Sequence, residues 1–137
     1  MAKHVVGLAS EIAPGGRRVS VIRGRPIVIF NLKGEYFAML DRCPHQAAAL
    51  SQGILSGISE ADGPGPVRCS RSGEFVRCPW HGWEFDIRTG QSWCDPDSIM
   101  VRQYAVSVVP GETLAKGPLV AETFAVTVED QYLVVEV

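Results

Sequence analysis

Short apolar runs, separated by turn-forming residues, fill the first forty positions of the chain. Residues 27–30 are continuously apolar, which is typical of a strand buried on both faces. No segment of helical length between these runs shows a 3.6-residue apolar period. The pattern therefore predicts an antiparallel β sheet or a small barrel, with its first strands at 5–8, 17–22, 26–32 and 35–40.

The second half of the chain returns to the strand pattern. Trp83, Phe85 and Ile87 alternate with polar residues, so one face of this strand should be apolar and the other wet. Further strands are predicted at 75–77, 104–109, 124–128 and 132–137. The last two are joined like a hairpin through 129–131. Taken together, the runs predict an all-β protein.

Three segments interrupt the strand pattern. Residues 47–50 are predicted to form one helical turn, whereas 54–73 should be irregular because it contains Gly and Pro in alternation at 63–66. Residues 110–123 are predicted to form a second loop-like insert. We therefore expect two long connections in an otherwise turn-rich fold.

Length and charge narrow the functional classes. The 137 residues allow one domain with a core, so we expect a single domain over 1–137. With 13 basic and 15 acidic side chains, the chain lacks the basic footprint that nucleic acid requires. Because no signal-peptide pattern follows Met1 and no apolar run is long enough to span a membrane, we expect a cytoplasmic protein without a membrane partner.

Two short motifs carry the candidate chemistry. CPH at 43–45 and CPWH at 78–81 each supply one thiolate and one imidazole from a loop that follows a predicted strand. Side chains i and i+2 of an extended segment point the same way about 6.6 Å apart, so Cys43 and His45 can reach different irons of one cluster. Each Pro stiffens its loop and holds the preceding Cys in extended backbone. The candidate ligands of a binuclear metal site are Cys43, His45, Cys78 and His81.

The segments CPHQAAALSQG and CPWHGWEFDIRTG closely resemble the paired ligand loops of the Rieske family, in its oxygenase-associated form. The resemblance runs over 5–90, with a looser similarity at 124–137. It implies one 2Fe-2S cluster, with the two Cys on the inner iron and the two His on the outer, more exposed iron. It also implies an antiparallel β sandwich or small barrel that carries a cluster-binding subdomain of two loops, within about 41–90.

One departure from the family concerns spacing. Thirty-two residues, 46–77, separate the first His from the second Cys, which is longer than usual in the family. We expect the surplus to form an insert near 57–72 that leaves the ligand geometry intact, because doubling a loop costs only about 0.6 kcal/mol of closure entropy.

Other interpretations of the Cys and His residues remain open. Four Cys and His ligands also suit a structural zinc site, although zinc motifs normally pair Cys with Cys and His with His. Cys69 and Cys94 have the wrong neighbours to be ligands and are expected to be buried as small apolar side chains. The disulfide found in cytochrome-complex relatives cannot form, because the corresponding positions are Ala48 and Trp80. His4 is expected to be an ordinary histidine.

Several residues beside the ligands have two interpretations each. The aromatic residues Trp80, Trp83 and Phe85 either shield the cluster from water or simply fill the core, and for Trp80 shielding is the favoured interpretation. Gly82 is expected to allow a close backbone approach because it has no Cβ. Three arginines could form a docking patch or simply a solvated face: Arg68, Arg71 and Arg77.

The resemblance also bears on redox potential. High-potential relatives carry a Ser and a Tyr that donate hydrogen bonds to the cluster, at the positions that correspond to Trp83 and Phe85. Such donors stabilise the reduced form. Since Phe85 has no hydroxyl and Trp83 places its donor differently, we predict a low potential.

The resemblance implies a one-electron carrier that takes electrons from a reductase and passes them to a terminal oxygenase or a related redox enzyme. An oxygenase in its own right would need a mononuclear iron bound by two His and one carboxylate. This chain has three His, of which two are assigned to the cluster, so no enzyme activity of its own is expected. A fixed-relay or accessory subunit of a larger reductase complex is the alternative.

Overall fold

The structure is a computed structural model, and the residues that it describes are 3–44, 48–60, 68–79, 82–93, 95, 97–111 and 130–137, with the backbone alone at 58–60 and 68–72. The chain divides into two compact units. The first unit combines Met1–Leu40 with Gln103–Val137, and the second is Asp41–Arg102. Within the described residues there are nine strands: β1 Lys3–Leu8, β2 Arg17–Ile22, β3 Arg25–Leu32, β4 Glu35–Leu40, β5 Ile54–Glu60, β6 Arg68–Arg77, β7 Glu84–Asp86, β8 Gln103–Pro110 and β9 Gln131–Glu136.

The first unit is a six-stranded antiparallel sheet in the order β1-β9-β8-β4-β3-β2. β3 is buried on both faces, as its continuous apolar run predicts, since residues 27–30 are all 0% exposed. One face of the sheet contributes to a core cluster formed by Ala9, Ile12, Ile22, Ile27, Ile29, Ala38, Tyr104, Leu133, Val135 and Val137. The prediction of an all-β antiparallel fold is confirmed.

The second unit is a three-stranded antiparallel sheet in the order β5-β6-β7. Its apolar face holds Val76 and Phe85, both 0% exposed and paired across β6 and β7. The segment after β7 adds a bridge from Ser92 to Phe85, and Trp93 packs edge-on against Phe75 with ring centroids 5.8 Å apart. This small sheet carries both predicted ligand loops at its ends.

The prediction that 54–73 is irregular was wrong. Ile54–Glu60 and Arg68–Arg77 form the antiparallel pair β5 and β6, so much of the insert predicted at 57–72 belongs to a β hairpin. The pairing satisfies the backbone groups that an irregular segment would have to expose to water. The ladder is interrupted between Ser56 and Ile58, where four residues of β6 lie opposite Gly57. The Gly-Pro alternation at 63–66 lies outside the described residues.

Smaller differences occur at three other segments. The single helical turn predicted at 47–50 is a 3-10 turn at Leu50–Gln52, named η2 here, and Ala47 lies outside the described residues. Pro110 belongs to β8, where it pairs with Gln131, rather than to the insert predicted at 110–123. The strand predicted at 124–128 and most of that insert lie outside the described residues. Among the residues that are described, no helix is long and apolar enough to span a membrane.

Candidate metal centre

Cys43 and Cys78 occupy equivalent positions in two loops of the second unit. Cys43 comes three residues after β4 ends, and Cys78 directly follows β6. Each residue is 1% exposed, and each sulfur is a thiol rather than half of a disulfide. Soft thiolate ligands of this kind suit an iron–sulfur cluster.

The same hydrogen bond closes both loops. The backbone N–H of Cys43 donates to the carbonyl of Ala48 at 2.8 Å, and that of Cys78 donates to the carbonyl of Trp83 at 2.7 Å. Both bonds therefore run from the Cys to the residue five positions later. His45 and His81 lie inside these two loops and outside the described residues, so their assignment as ligands stays a prediction.

A buried carboxylate fastens the first loop at its base. Asp41 is 6% exposed, and its two oxygens accept hydrogen bonds from the Ser51 N–H at 2.6 Å and the Ser51 hydroxyl at 2.7 Å. Leu50, which is 0% exposed, begins η2 next to this contact. We call the Asp41–Ser51 pair the clasp, because it ties the residues before Cys43 to those that leave the loop.

The clasp gives the first testable prediction. Asp41→Ala removes the acceptor of both hydrogen bonds and is expected to lower the free energy of unfolding by about 1–3 kcal/mol. Ser51→Ala keeps the backbone N–H donor and should cost less, about 0.5–1.5 kcal/mol. Urea denaturation of the two variants beside the wild-type protein measures the difference. Equal losses in the two variants would contradict the account of the clasp.

Charged residues tie together the strands that carry the second loop. Glu84 accepts a hydrogen bond from the Ser56 hydroxyl at 2.7 Å and lies 3.7 Å from the Arg77 guanidinium. Arg88 donates to Glu74 at 3.0 Å. These contacts connect all three strands of the small sheet. They therefore stabilise the end of β6, which Cys78 follows directly.

The glycine after the second predicted His takes a backbone conformation that few other residues adopt. Gly82 has a φ of +71°, in the left-handed region that favours glycine. Among the described atoms, a Cβ at this position would meet only the flexible Arg77 side chain, at 3.8 Å from its Cδ. Gly82 is therefore favoured for its backbone conformation, and the expected close backbone approach stays a prediction.

The structure describes some of the remaining candidate residues fully, some by their backbone alone and some not at all. Phe85 is fully buried, whereas Trp83 is half-buried, and Trp80 and Cys94 lie outside the described residues. Cys69 is described by its backbone in β6, as are Arg68 and Arg71, so no docking patch is defined by side chains there. Arg77 is exposed, and the described part of the chain offers no group of three or more His, Cys, Asp or Glu around a common point.

His4 is partly buried, as expected of an ordinary histidine. Its side chain is on β1, and the Nε2 atom is buried without a hydrogen-bond partner among the described residues. Cross-strand pairing places His4 opposite Val135 of the first unit's core.

Proteins with similar sequences include two ferredoxin components. The chain is 34% identical over 109 residues to the anthranilate 1,2-dioxygenase ferredoxin subunit of Burkholderia cepacia, covering 80% of this chain and 86% of that one. It is 28% identical over 110 residues to ferredoxin CarAc of Metapseudomonas resinovorans, covering 80% and 88%.

The fold is shared with a solved structure described as a complex of reduced oxygenase and oxidized ferredoxin in carbazole 1,9a-dioxygenase. The match has a TM-score of 0.61 at 22% identity and covers 96% of this chain and 91% of that chain. Residues 2–105 match the Rieske 2Fe-2S domain family, so the cofactor is a Rieske-type 2Fe-2S cluster. The two buried thiols, each at the base of an equivalent closed loop, fit that group. The chain belongs to the Rieske 2Fe-2S domain family.

Proposed function

We propose that this protein is a Rieske-type ferredoxin that carries single electrons from a reductase to a terminal oxygenase, with its cluster held by Cys43, His45, Cys78 and His81. The observation that carries the proposal is the pair of equivalent loops, each with a buried Cys and the same closing hydrogen bond. The cluster supplies one-electron chemistry when it is bound.

The chain's own residues give the site two properties that suit this role. Burial of Cys43 and Cys78 to 1% exposure keeps water from the sulfur ligands. The closing hydrogen bonds and the clasp hold the loop ends, so little rearrangement is needed when the charge of the site changes. The prolines after both Cys are exposed and limit the backbone freedom of the loops.

The relatives support the assignment of the partners. Besides the anthranilate dioxygenase subunit, a 3-phenylpropionate/cinnamic acid dioxygenase ferredoxin subunit of Escherichia coli K12 is 31% identical over 99 residues, covering 72% of this chain and 79% of that one. In each case the chain aligns with most of a separate ferredoxin subunit. We therefore assign this protein to the electron-carrying component of an oxygenase system, with a reductase as donor and the oxygenase as acceptor.

Three further features belong to this proposal. The protein works as an electron-transfer component without a mononuclear iron site of its own, since its three His leave one beyond the proposed ligands. Residues 1–137 form one Rieske domain, which is supported by a family match that runs across both compact units. The protein acts in the cytoplasm, where its donor and acceptor would be soluble proteins.

Reductive titration and rapid mixing test the function. Anaerobic titration with dithionite is expected to take up one electron per cluster. The reduced protein, mixed with an oxidised Rieske oxygenase, should then be reoxidised in a single phase whose rate rises with oxygenase concentration. Cys69→Ala serves as the control and should behave like the wild type.

Two results would contradict the proposal. An oxygenase that leaves the reduced protein unchanged would remove the assigned acceptor. A reductase that stays bound in a fixed ratio through gel filtration, with electrons passing only inside that complex, would identify a fixed-relay or accessory subunit.

A further inference from the structure

Gly53 lies where the chain leaves the first ligand loop and enters β5. It follows η2 directly, it is buried, and its N–H donates to the carbonyl of Leu50 at 2.9 Å. Its backbone angles, φ −78° and ψ 166°, are those of ordinary extended backbone that any residue adopts. Conformational freedom therefore does not explain why this residue is glycine.

The space around Gly53 does explain it. A Cβ built on this residue would overlap the carbonyl oxygen of Arg77, and it would lie 3.0 Å from the Arg77 carbonyl carbon and 3.1 Å from the Leu50 oxygen. All of these are backbone atoms. Arg77 is paired with Ile54 of β5 on one side and with Glu84 of β7 on the other, so it cannot move aside easily.

This contact joins the two ligand loops. On one side, Gly53 ends the first loop, which the clasp and the Cys43 hydrogen bond hold in place. On the other side, the Arg77 carbonyl belongs to the same planar peptide as the Cys78 N–H, which donates to Trp83 and closes the second loop. Because a peptide rotates as one plane, displacing the carbonyl oxygen also turns the Cys78 N–H away from Trp83.

We propose that Gly53 is a positioning residue for the cluster: the contact of its backbone with the Arg77 carbonyl sets the spacing between the Cys43 loop and the Cys78 loop. The proposal rests on the proposed function, because it takes these two loops as the cluster-binding loops. A side chain at position 53 should distort the Cys78 loop before it disrupts the sheet. The cluster itself should report the change.

Gly53→Ala tests the proposal, with Gly16→Ala as a matched control. The N–H of Gly16 also donates to the carbonyl three residues earlier, and a Cβ there would lie 2.9 Å from the Ala13 carbonyl oxygen, in the first unit. Both variants therefore force a methyl group against backbone. Iron content, the EPR g values of the dithionite-reduced protein and the midpoint potential are measured beside the urea midpoint.

We expect Gly16→Ala to lower the urea midpoint and to keep the wild-type g values, potential and iron content. Gly53→Ala should keep the β-sheet circular dichroism but lose iron, or retain a cluster with shifted g values and a shifted potential. Identical cluster properties in the two variants would overturn the proposal. So would a Gly53→Ala chain that does not fold while Gly16→Ala folds, because the contact would then serve folding in general. An absence of cluster from the wild type would instead refute the proposed function.

Discussion

Replacing either His45 or His81 by alanine is expected to abolish the cluster, so that the brown wild-type protein with two irons gives colourless variants without iron. Each histidine is assigned to the outer iron, and a cluster that lacks one of its four protein ligands is exposed to water and hydrolysis. Cys43→Ala and Cys78→Ala should have the same result for the inner iron. Iron and acid-labile sulfide analysis, with the visible absorption spectrum, measures the loss.

The two other cysteines provide the control for this experiment. Cys69→Ala and Cys94→Ala should keep both irons, because neither residue belongs to the CPH or CPWH motif. Loss of the cluster in either control would refute the ligand assignment. Stoichiometric zinc in wild-type protein purified freshly and without oxygen would show that the loops form a zinc site instead.

The midpoint potential is expected near the low end of the range for Rieske centres, which extends from about −150 to about +300 mV. Hydrogen bonds to cluster sulfurs raise the potential because they stabilise the more negative, reduced form. Phe85 is 0% exposed and has no hydroxyl, so its ring supplies no such donor. Voltammetry of the wild-type protein should therefore give a value below about +100 mV.

Two variants test the cause, and a third is a control. Phe85→Tyr and Trp83→Ser should each raise the potential if the new hydroxyl reaches a cluster sulfur. Phe75→Tyr is the matched control: Phe75 is a buried phenylalanine of the same sheet, and it pairs with Asp86, so it lies on the opposite face from Phe85. A wild-type potential above about +100 mV, or no rise in either variant while the cluster is intact, would refute the argument.

Local pattern was sufficient to predict most of the first unit. The strands predicted at 17–22 and 35–40 match β2 and β4 residue for residue, because alternation and flanking turn residues are properties of neighbouring positions. The burial of residues 27–30 was also predicted, from their continuous apolar run. In these segments the sequence neighbours of a residue are enough to determine its conformation.

Long-range contacts account for what the sequence did not predict. The strand predicted at 75–77 is the end of β6, but β5 and the rest of β6 were missed because they carry weak alternation and depend on each other across the hairpin. No local pattern distinguishes Gly53 from other glycines, because the Arg77 carbonyl that leaves no room for a Cβ belongs to a distant part of the sequence. The clasp was missed for the same cause, since Asp41 and Ser51 are ten residues apart. The cysteines were predictable because their motifs are short and specific.

The position of the β5–β6 hairpin bears on how this protein could have diverged from its relatives. Ile54 pairs with Arg77 at the base of the hairpin, immediately between the two ligand loops. Any residues added beyond that base lengthen the connection without changing the distance between its two ends, and the entropic cost of a longer closed loop grows only slowly. We therefore expect insertion and deletion at the far end of this hairpin to have little effect on the cluster. Evolution could then vary the length of this segment freely while the redox site stayed the same.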